Sequence, residues 1–344
     1  MAQIKRNNLF DLLRVLFTIS VVVSHASGTV FHGEIVSANV AVDGFFMLSG
    51  FFMARHLYNR KNERAERVFL DYQIGRIRRL FPMYALSCLV GVFVELIFHH
   101  SFVVEKWAVL YFMGNINGIP GYPVIWYVAA LFWAGLFVSA FLIWKRKISV
   151  LVIFPLTFFV LFSVMYSYHN LWLYSQPLLG GIFSAGLLKA VCALCVGAEV
   201  FYASRYLKAR SSRFRPLARK TVALLCETIF IAGFLSSFWI WFSPKNFFVY
   251  LYVPLILLVF GMNEQVVFKI LDRPLFSTLG KLTYAVYLTH LYFLQFLAKT
   301  NVCQGIPQIP AFVLIVIASF LIGYVFCKIE KIIRILFQYI DQNR

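Results

Sequence analysis

The chain has 344 residues, 61% of them hydrophobic and 18% aromatic, with only 13% charged and a formal net charge of +18. A soluble core of that length cannot cover so much apolar side chain, so the composition excludes a water-soluble globular protein and points to a polytopic membrane protein. The excess of Lys and Arg reads as a topology signal and as contact with anionic headgroups rather than as nucleic-acid binding.

A window of about 19 residues predicts roughly ten spans. In chain order they fall near 9–30, 39–57, 80–100, 125–144, 148–168, 182–203, 221–242, 247–263, 276–297 and 311–330. The first resembles a secretory signal, but Arg14 interrupts its centre and no A-x-A cleavage site follows His25, so it is read as a retained span. Basic residues gather at Lys5 and Arg6, Arg55 to Arg79, Lys145 to Lys147, Arg205 to Lys220, Lys269 and Arg273, and from Lys328 onward. The positive-inside rule makes those segments cytoplasmic, which puts both termini inside and requires an even number of spans. The expected fold class is therefore all-α, a polytopic membrane helix bundle of about ten transmembrane helices with both termini cytoplasmic. It is expected to form a single integral-membrane domain over residues 1–344, with no appended soluble domain and no internal repeat.

The cysteines offer no outer disulfide pair, since Cys88, Cys192, Cys195, Cys226 and Cys327 lie in or at the ends of spans and leave Cys303 alone outside. Cys192 and Cys195 form a C-x-x-C without a nearby His or second thiol pair, so packing is preferred over a redox or zinc site and no metal is expected. Near the outer boundary Trp107, Trp172, Tyr122 and Tyr127 suit an interfacial aromatic belt or a sugar-stacking platform.

Arg14 and His25 are expensive in hydrocarbon, which makes each a functional-site hypothesis. Eleven helical steps return to within roughly 20° of the same face, so the two line one stripe about 16 Å apart. Counted from the inner end, Arg14 lies about 7 Å deep and His25 about 24 Å deep. The second span re-enters from outside with Asp43 a few residues below the surface, at a similar height to His25. In the ninth span His290 reaches about 20 Å, with Tyr287 one turn below on nearly the same face. A carboxylate that holds one imidazole nitrogen leaves the other free to accept a proton, so Asp43 is the expected orienting group for a catalytic His25. His290 either lines the same cavity or supports it.

Arg14 needs an anionic partner: a carboxylate on another helix, a lipid phosphate, or a ligand phosphate. Arg76 and Arg79 enter the third span from the same side and share a helix face, while Arg78 points elsewhere. Together the three suggest an inner-side phosphate cradle below a catalytic histidine. Glu95, Glu199 and Glu227 are further intramembrane acids, each able to pair with a basic residue on a neighbouring span.

Four motifs in order resemble the acyltransferase-3 family of integral-membrane acyltransferases, many of which O-acetylate bacterial surface polysaccharides. They are Arg14-x₁₀-His25 after NNLFDLLRVL, VDGFFMLSGF from Val42 to Phe51, the R-x-x-R of Arg76 to Arg79, and LGKLTYAVYLTHLYF near the end. The resemblance covers almost the whole chain. It implies a ten-span core, multi-pass in a bacterial cytoplasmic (inner) membrane, that takes an acyl group from cytosolic acyl-CoA, usually acetyl-CoA, and delivers it to an outer-side acceptor. It also implies that His25 matches the family's essential histidine and Arg14 its basic partner, that Arg76 and Arg79 match the R-x-x-R, and that Asp43 and His290 occupy recurrent polar positions. One departure is VIWYVAALFW from Val124 to Trp133, where many relatives carry Trp-Ser-Leu and an acid.

The expected function is O-acyl transfer, most simply of acetyl, to a hydroxyl of an outer-side or lipid-linked glycan. His25 and Asp43 are its catalytic candidates, with Arg14, Arg76 and Arg79 holding the phosphates of acyl-CoA, a donor that is not tightly bound. His290, Tyr287, Trp126 and Tyr127 are the candidates for binding substrate. Whether His25 acts as general base or as covalent acyl carrier is left open by spacing. The alternative is a secondary transporter or flippase of a lipid-linked sugar, which predicts an inverted repeat.

Overall fold

The computed structural model describes residues 7–33, 38–99, 124–167, 177–178, 183–238, 247–303 and 305–342. Its helices in chain order are α1 (Asn8–Val30), α2 (Ala38–Asn59), α3 (Ala65–His99), α4 (Trp126–Trp144), α5 (Arg146–Ile148), α6 (Phe154–Ser167), α7 (Ala185–Arg210), α8 (Pro216–Ser236), α9 (Val249–Met262), α10 (Pro274–Thr300) and α11 (Gln308–Gln342). A π-helical turn, Ser149–Ile153, joins α5 to α6. Before α7 there is one two-residue antiparallel ladder, Pro177 opposite Ser184 and Leu178 opposite Phe183.

Local chemistry sets the helix starts. The Asn7 side chain accepts from the Leu9 N–H at 3.0 Å to cap α1, and Ser184 does the same for the Leu187 N–H at 3.2 Å to cap α7. Pro216 and Pro274 occupy the first positions of α8 and α10, where a missing N–H costs nothing.

Each predicted span overlaps a helix, but among the described residues seven helical units are long and apolar enough to cross a bilayer: α1, α2, α3, α4, the α5–α6 unit, α7 and α11. These make the chain an all-helical, multi-pass membrane protein in architecture. The apolar α9 is only 14 residues long, while α8 and α10 mix Lys, Tyr, Thr and His into their apolar runs. The two largest boundary shifts are those of α3, which begins at Ala65, and α11, which runs on to Gln342, because amphipathic helix continues past the apolar window.

Burial separates the helices into a centre and a periphery. The apolar windows of α1, α2, α4 and α7 are two-thirds or more buried, whereas those of α3, α5–α6 and α11 are one-third buried or less. The peripheral helices turn large apolar side chains outward, among them Leu89, Phe159 and Leu321, as a lipid-facing surface requires. At the centre α2 and α7 touch backbone to backbone. A Cβ on Gly50 would lie 2.2 Å from the Leu194 carbonyl oxygen, and one on Gly197 would lie 1.9 Å from that of Met47. α1 packs between α2 and α10, and α3 packs against both α4 and α10. That arrangement turns the polar stripe of α1 toward the middle of the bundle.

Candidate active site

His25 of α1 and His290 of α10 meet directly. Nδ1 of His25 lies 2.8 Å from Nε2 of His290, with the two rings 13° from parallel and their centroids 5.1 Å apart. His290 is 1% exposed, and its Nδ1 faces the carbonyl oxygens of Tyr287 at 2.7 Å and Val286 at 3.2 Å. His25 is only partly buried. Of the polar groups expected at this height, His25 and His290 do meet, and the Tyr287 ring, one turn along α10, stands 5.9 Å from that of His290.

Asp43 does not join them. Its carboxylate is turned to α7, where Oδ2 accepts from Nζ of Lys189 at 3.2 Å with both side chains buried. Helical rise correctly estimates height, but it does not set the direction in which α2 presents a side chain. The orienting role expected for Asp43 toward His25 is thus not realised.

Toward the Arg14 end of α1 the bundle opens into a cavity of about 580 Å³ whose lining includes Arg14, Arg55, His56, Arg76 and Arg79. The three arginines expected to form one cradle do line one cavity. Arg76 is 5% exposed, and its Nη2 donates to the Leu131 carbonyl oxygen at 2.7 Å. Nη1 is buried with no hydrogen-bond partner among the described residues. The guanidinium lies near the Tyr72 and Phe132 rings, at 5.6 and 5.9 Å from their centroids. No carboxylate forms a salt bridge with it among the described residues.

Arg14 does have an acidic partner, on its own helix. Nη1 donates to Oδ1 of Asp11 at 2.7 Å, with the Arg14 side chain 33% exposed and that of Asp11 only 3%. The guanidinium also stands 5.0 Å from the centre of the Phe52 ring. Arg60 donates to Glu63 and to Asp71, which is part of the cavity lining, the Asp71 bond being 2.8 Å long. The hydrogen bond from Arg60 holds the Glu63 carboxyl below the usual carboxylate range.

Aromatic rings separate the cavity from the histidines. The lining reaches Phe45 and Ser49 but includes neither Tyr127, Tyr287 nor the histidine pair. The Phe45 ring is 6.1 Å from that of Tyr127 and 6.3 Å from that of Tyr287, and the two tyrosine rings are 5.0 Å apart. Trp126 packs edge-on against Phe46 and Tyr127, at centroid distances of 6.3 and 6.5 Å.

Several neighbours of the site were not anticipated from sequence. Asp11 stands three residues before Arg14, on the same helical face. Lys189 is a charge inside an apolar run, which is itself a signal. Gly135 of α4, which lines the same cavity, carries no such mark. Glu227 proves structural, accepting the N–H groups of Val266 and Val267 at 3.0 and 2.7 Å rather than pairing with a cation. Cys192 and Cys195 are buried in α7 as free thiols. Trp107, Tyr122, Trp172 and the side chain of Glu95 lie outside the described residues.

A family model described as an acyltransferase domain matches residues 7–328, nearly the whole chain. No curated protein matches, and no solved structure does.

Proposed function

The chain belongs to the acyltransferase-3 family, and on that premise we propose that this membrane acyltransferase moves an acetyl group from cytosolic acetyl-CoA to a hydroxyl of an outer-side or lipid-linked glycan. In this reading residues 1–344 act as one unit of ten spans in a bacterial inner membrane, with both termini on the cytosolic side. The observation that carries the donor assignment is Arg76, a buried guanidinium with one nitrogen unpartnered among the described residues, on the wall of a cavity also lined by Arg14 and Arg79. A buried cation is costly until an anion meets it, and guanidinium matches phosphate in geometry. The phosphates of acetyl-CoA supply that anion, and the phosphopantetheine arm carries the thioester along α1 toward His25, which lies about 16 Å from Arg14 by helical rise.

His25 then acts as general base. It removes the proton of the acceptor hydroxyl as the oxygen bonds to the thioester carbonyl carbon, and it returns that proton to the CoA sulfur as the carbon–sulfur bond breaks. The products are the ester and free CoA thiol. Tyr287 and Tyr127 border the route from the cavity and are the groups assigned to substrate contact, with Trp126 packed behind them. Asp43 holds α2 to α7 through Lys189.

The test of the donor site is equilibrium binding of acetyl-CoA to the purified protein in lipid nanodiscs. Arg76→Ala is expected to weaken binding by about 10- to 100-fold, the loss of a charge-assisted contact. Unchanged affinity in Arg76→Ala would remove the cavity as the donor site.

A further inference from the structure

We propose that His290 is a positioning residue that fixes the tautomer of His25 and so leaves Nε2 of His25 as its basic nitrogen. The consequence for catalysis rests on the acyl-transfer reading above, whereas the tautomer follows from hydrogen bonding alone.

The assignment starts from the backbone of α10. Nδ1 of His290 lies 2.7 Å from the Tyr287 carbonyl oxygen and 3.2 Å from that of Val286. A carbonyl oxygen only accepts, so Nδ1 of His290 carries the hydrogen and donates it. In the neutral imidazole the other nitrogen holds the lone pair, which makes Nε2 of His290 an acceptor. Nδ1 of His25, 2.8 Å away, therefore supplies the hydrogen of that contact. The lone pair of His25 is left on Nε2, on the far side of the ring from His290.

Geometry favours this chain of donors. The centroid spacing of 5.1 Å is about the N···N distance plus the two centre-to-nitrogen reaches, and the planes differ by 13°. The hydrogen bond therefore runs along the line joining the rings and nearly in both planes, where N–H and lone pair point. The two carbonyls stand three and four residues before His290, so the helix itself holds this ring. The donors point toward the α10 backbone, and the one free lone pair points away from it.

When His25 accepts a proton on Nε2, its Nδ1–H bond to His290 persists and becomes charge-assisted, which steadies the imidazolium without a carboxylate. That proton leaves again to the CoA sulfur, so His290 neither gains nor loses one over the cycle. The tautomer-setting role given by sequence to Asp43 thus belongs to His290.

The experiment uses the full chain, labelled with ¹⁵N-histidine, in lipid bilayers for solid-state NMR. His25→Ala and His290→Ala assign the two rings. Wild type is expected to show His25 protonated on Nδ1. His290→Ala should release that preference, while His290→Gln should keep it, because Oε1 of Gln accepts near the place of Nε2. In parallel, transfer of label from [¹⁴C]acetyl-CoA to envelope glycans should fall by about 10²-fold or more in kcat for His290→Ala. KM for acetyl-CoA should stay unchanged, and His290→Gln should recover most of the lost rate. Hydrogen on Nε2 of wild-type His25 overturns the proposal, as does a His290→Gln protein as slow as His290→Ala. Absence of transfer by every protein, with the hydrogen found on Nδ1 of His25, overturns the acyl-transfer reading and leaves the tautomer assignment standing.

Discussion

Gly135 of α4 faces Arg76 of α3 so closely that a Cβ on Gly135 would lie 2.2 Å from Nη1 and 2.6 Å from Nη2. The obstructing atoms are the end of a flexible side chain, so Gly135→Ala should fold and displace the guanidinium. The expected result is a KM for acetyl-CoA raised about tenfold, near 1.4 kcal/mol, with kcat little changed. Gly75 borders the same cavity, but beyond its own chain neighbours and helix backbone no atom of the described residues lies within 4 Å of a Cβ placed there. Gly75→Ala should accordingly keep KM within about twofold. Equal effects of the two substitutions would argue against Arg76 as the group displaced.

Arg14 already binds Asp11 at 2.7 Å while keeping a third of its side chain open to the cavity. A guanidinium can serve a carboxylate and a phosphate together through separate N–H groups, whereas an ammonium is a point charge. Arg14→Lys is therefore expected to raise KM for acetyl-CoA by about tenfold, and Arg14→Ala by more. Steady-state kinetics over a range of donor concentrations makes the comparison. A Lys variant with wild-type KM would show that the fork geometry is not used.

Asp43 and Lys189 separate a structural role from a catalytic one. Removing one partner of a buried ion pair leaves an uncompensated charge, at about 3–5 kcal/mol. Asp43→Asn should thus lower the unfolding temperature and the yield of transfer together. The double variant Asp43→Leu with Lys189→Met removes both charges and should recover stability and most of the activity. Recovered stability without activity would return Asp43 to the chemistry.

The rings of Phe45, Tyr127 and Tyr287 stand between the cavity and the histidines, with Tyr127 and Tyr287 centred 5.0 Å apart. Phe45→Ala widens the end of the cavity without touching the histidine pair. The ratio of kcat/KM for butyryl-CoA to that for acetyl-CoA should rise about tenfold, since an added methylene in a fitted apolar site is commonly discriminated by 1–3 kcal/mol. An unchanged ratio would place acyl-group selection elsewhere.

How much of this is written in the sequence depends on whether it follows from distance along a helix or from direction around it. Apolar windows locate the helices, intramembrane charge singles out Arg14 and His25, and the three-residue spacing from Arg79 singles out Arg76 on the flank of the third span, because these signals are local. The depth of His25, His290 and Tyr287 follows from rise per residue, and those three assemble. The direction taken by Asp43 does not follow, since it depends on the contact of Gly50 and Gly197 that seats α2 on α7. Lys189 was legible as a charge in an apolar run, but its partner was not. The early start of α3 and the late end of α11 escape an apolar window because those turns are amphipathic. Gly135 acquires meaning only from the side chain that fills the space it leaves.

The most direct test of the central claim is transfer of label from [¹⁴C]acetyl-CoA into cell-envelope glycans by membranes holding wild type or His25→Ala at matched expression. Label in glycans with the wild type and a loss of about 10²-fold or more with His25→Ala is the predicted result. Equal label with both proteins would contradict His25 as the base. Label with neither, in membranes shown to contain an acetylatable glycan, would contradict acetyl transfer and favour movement of a lipid-linked sugar.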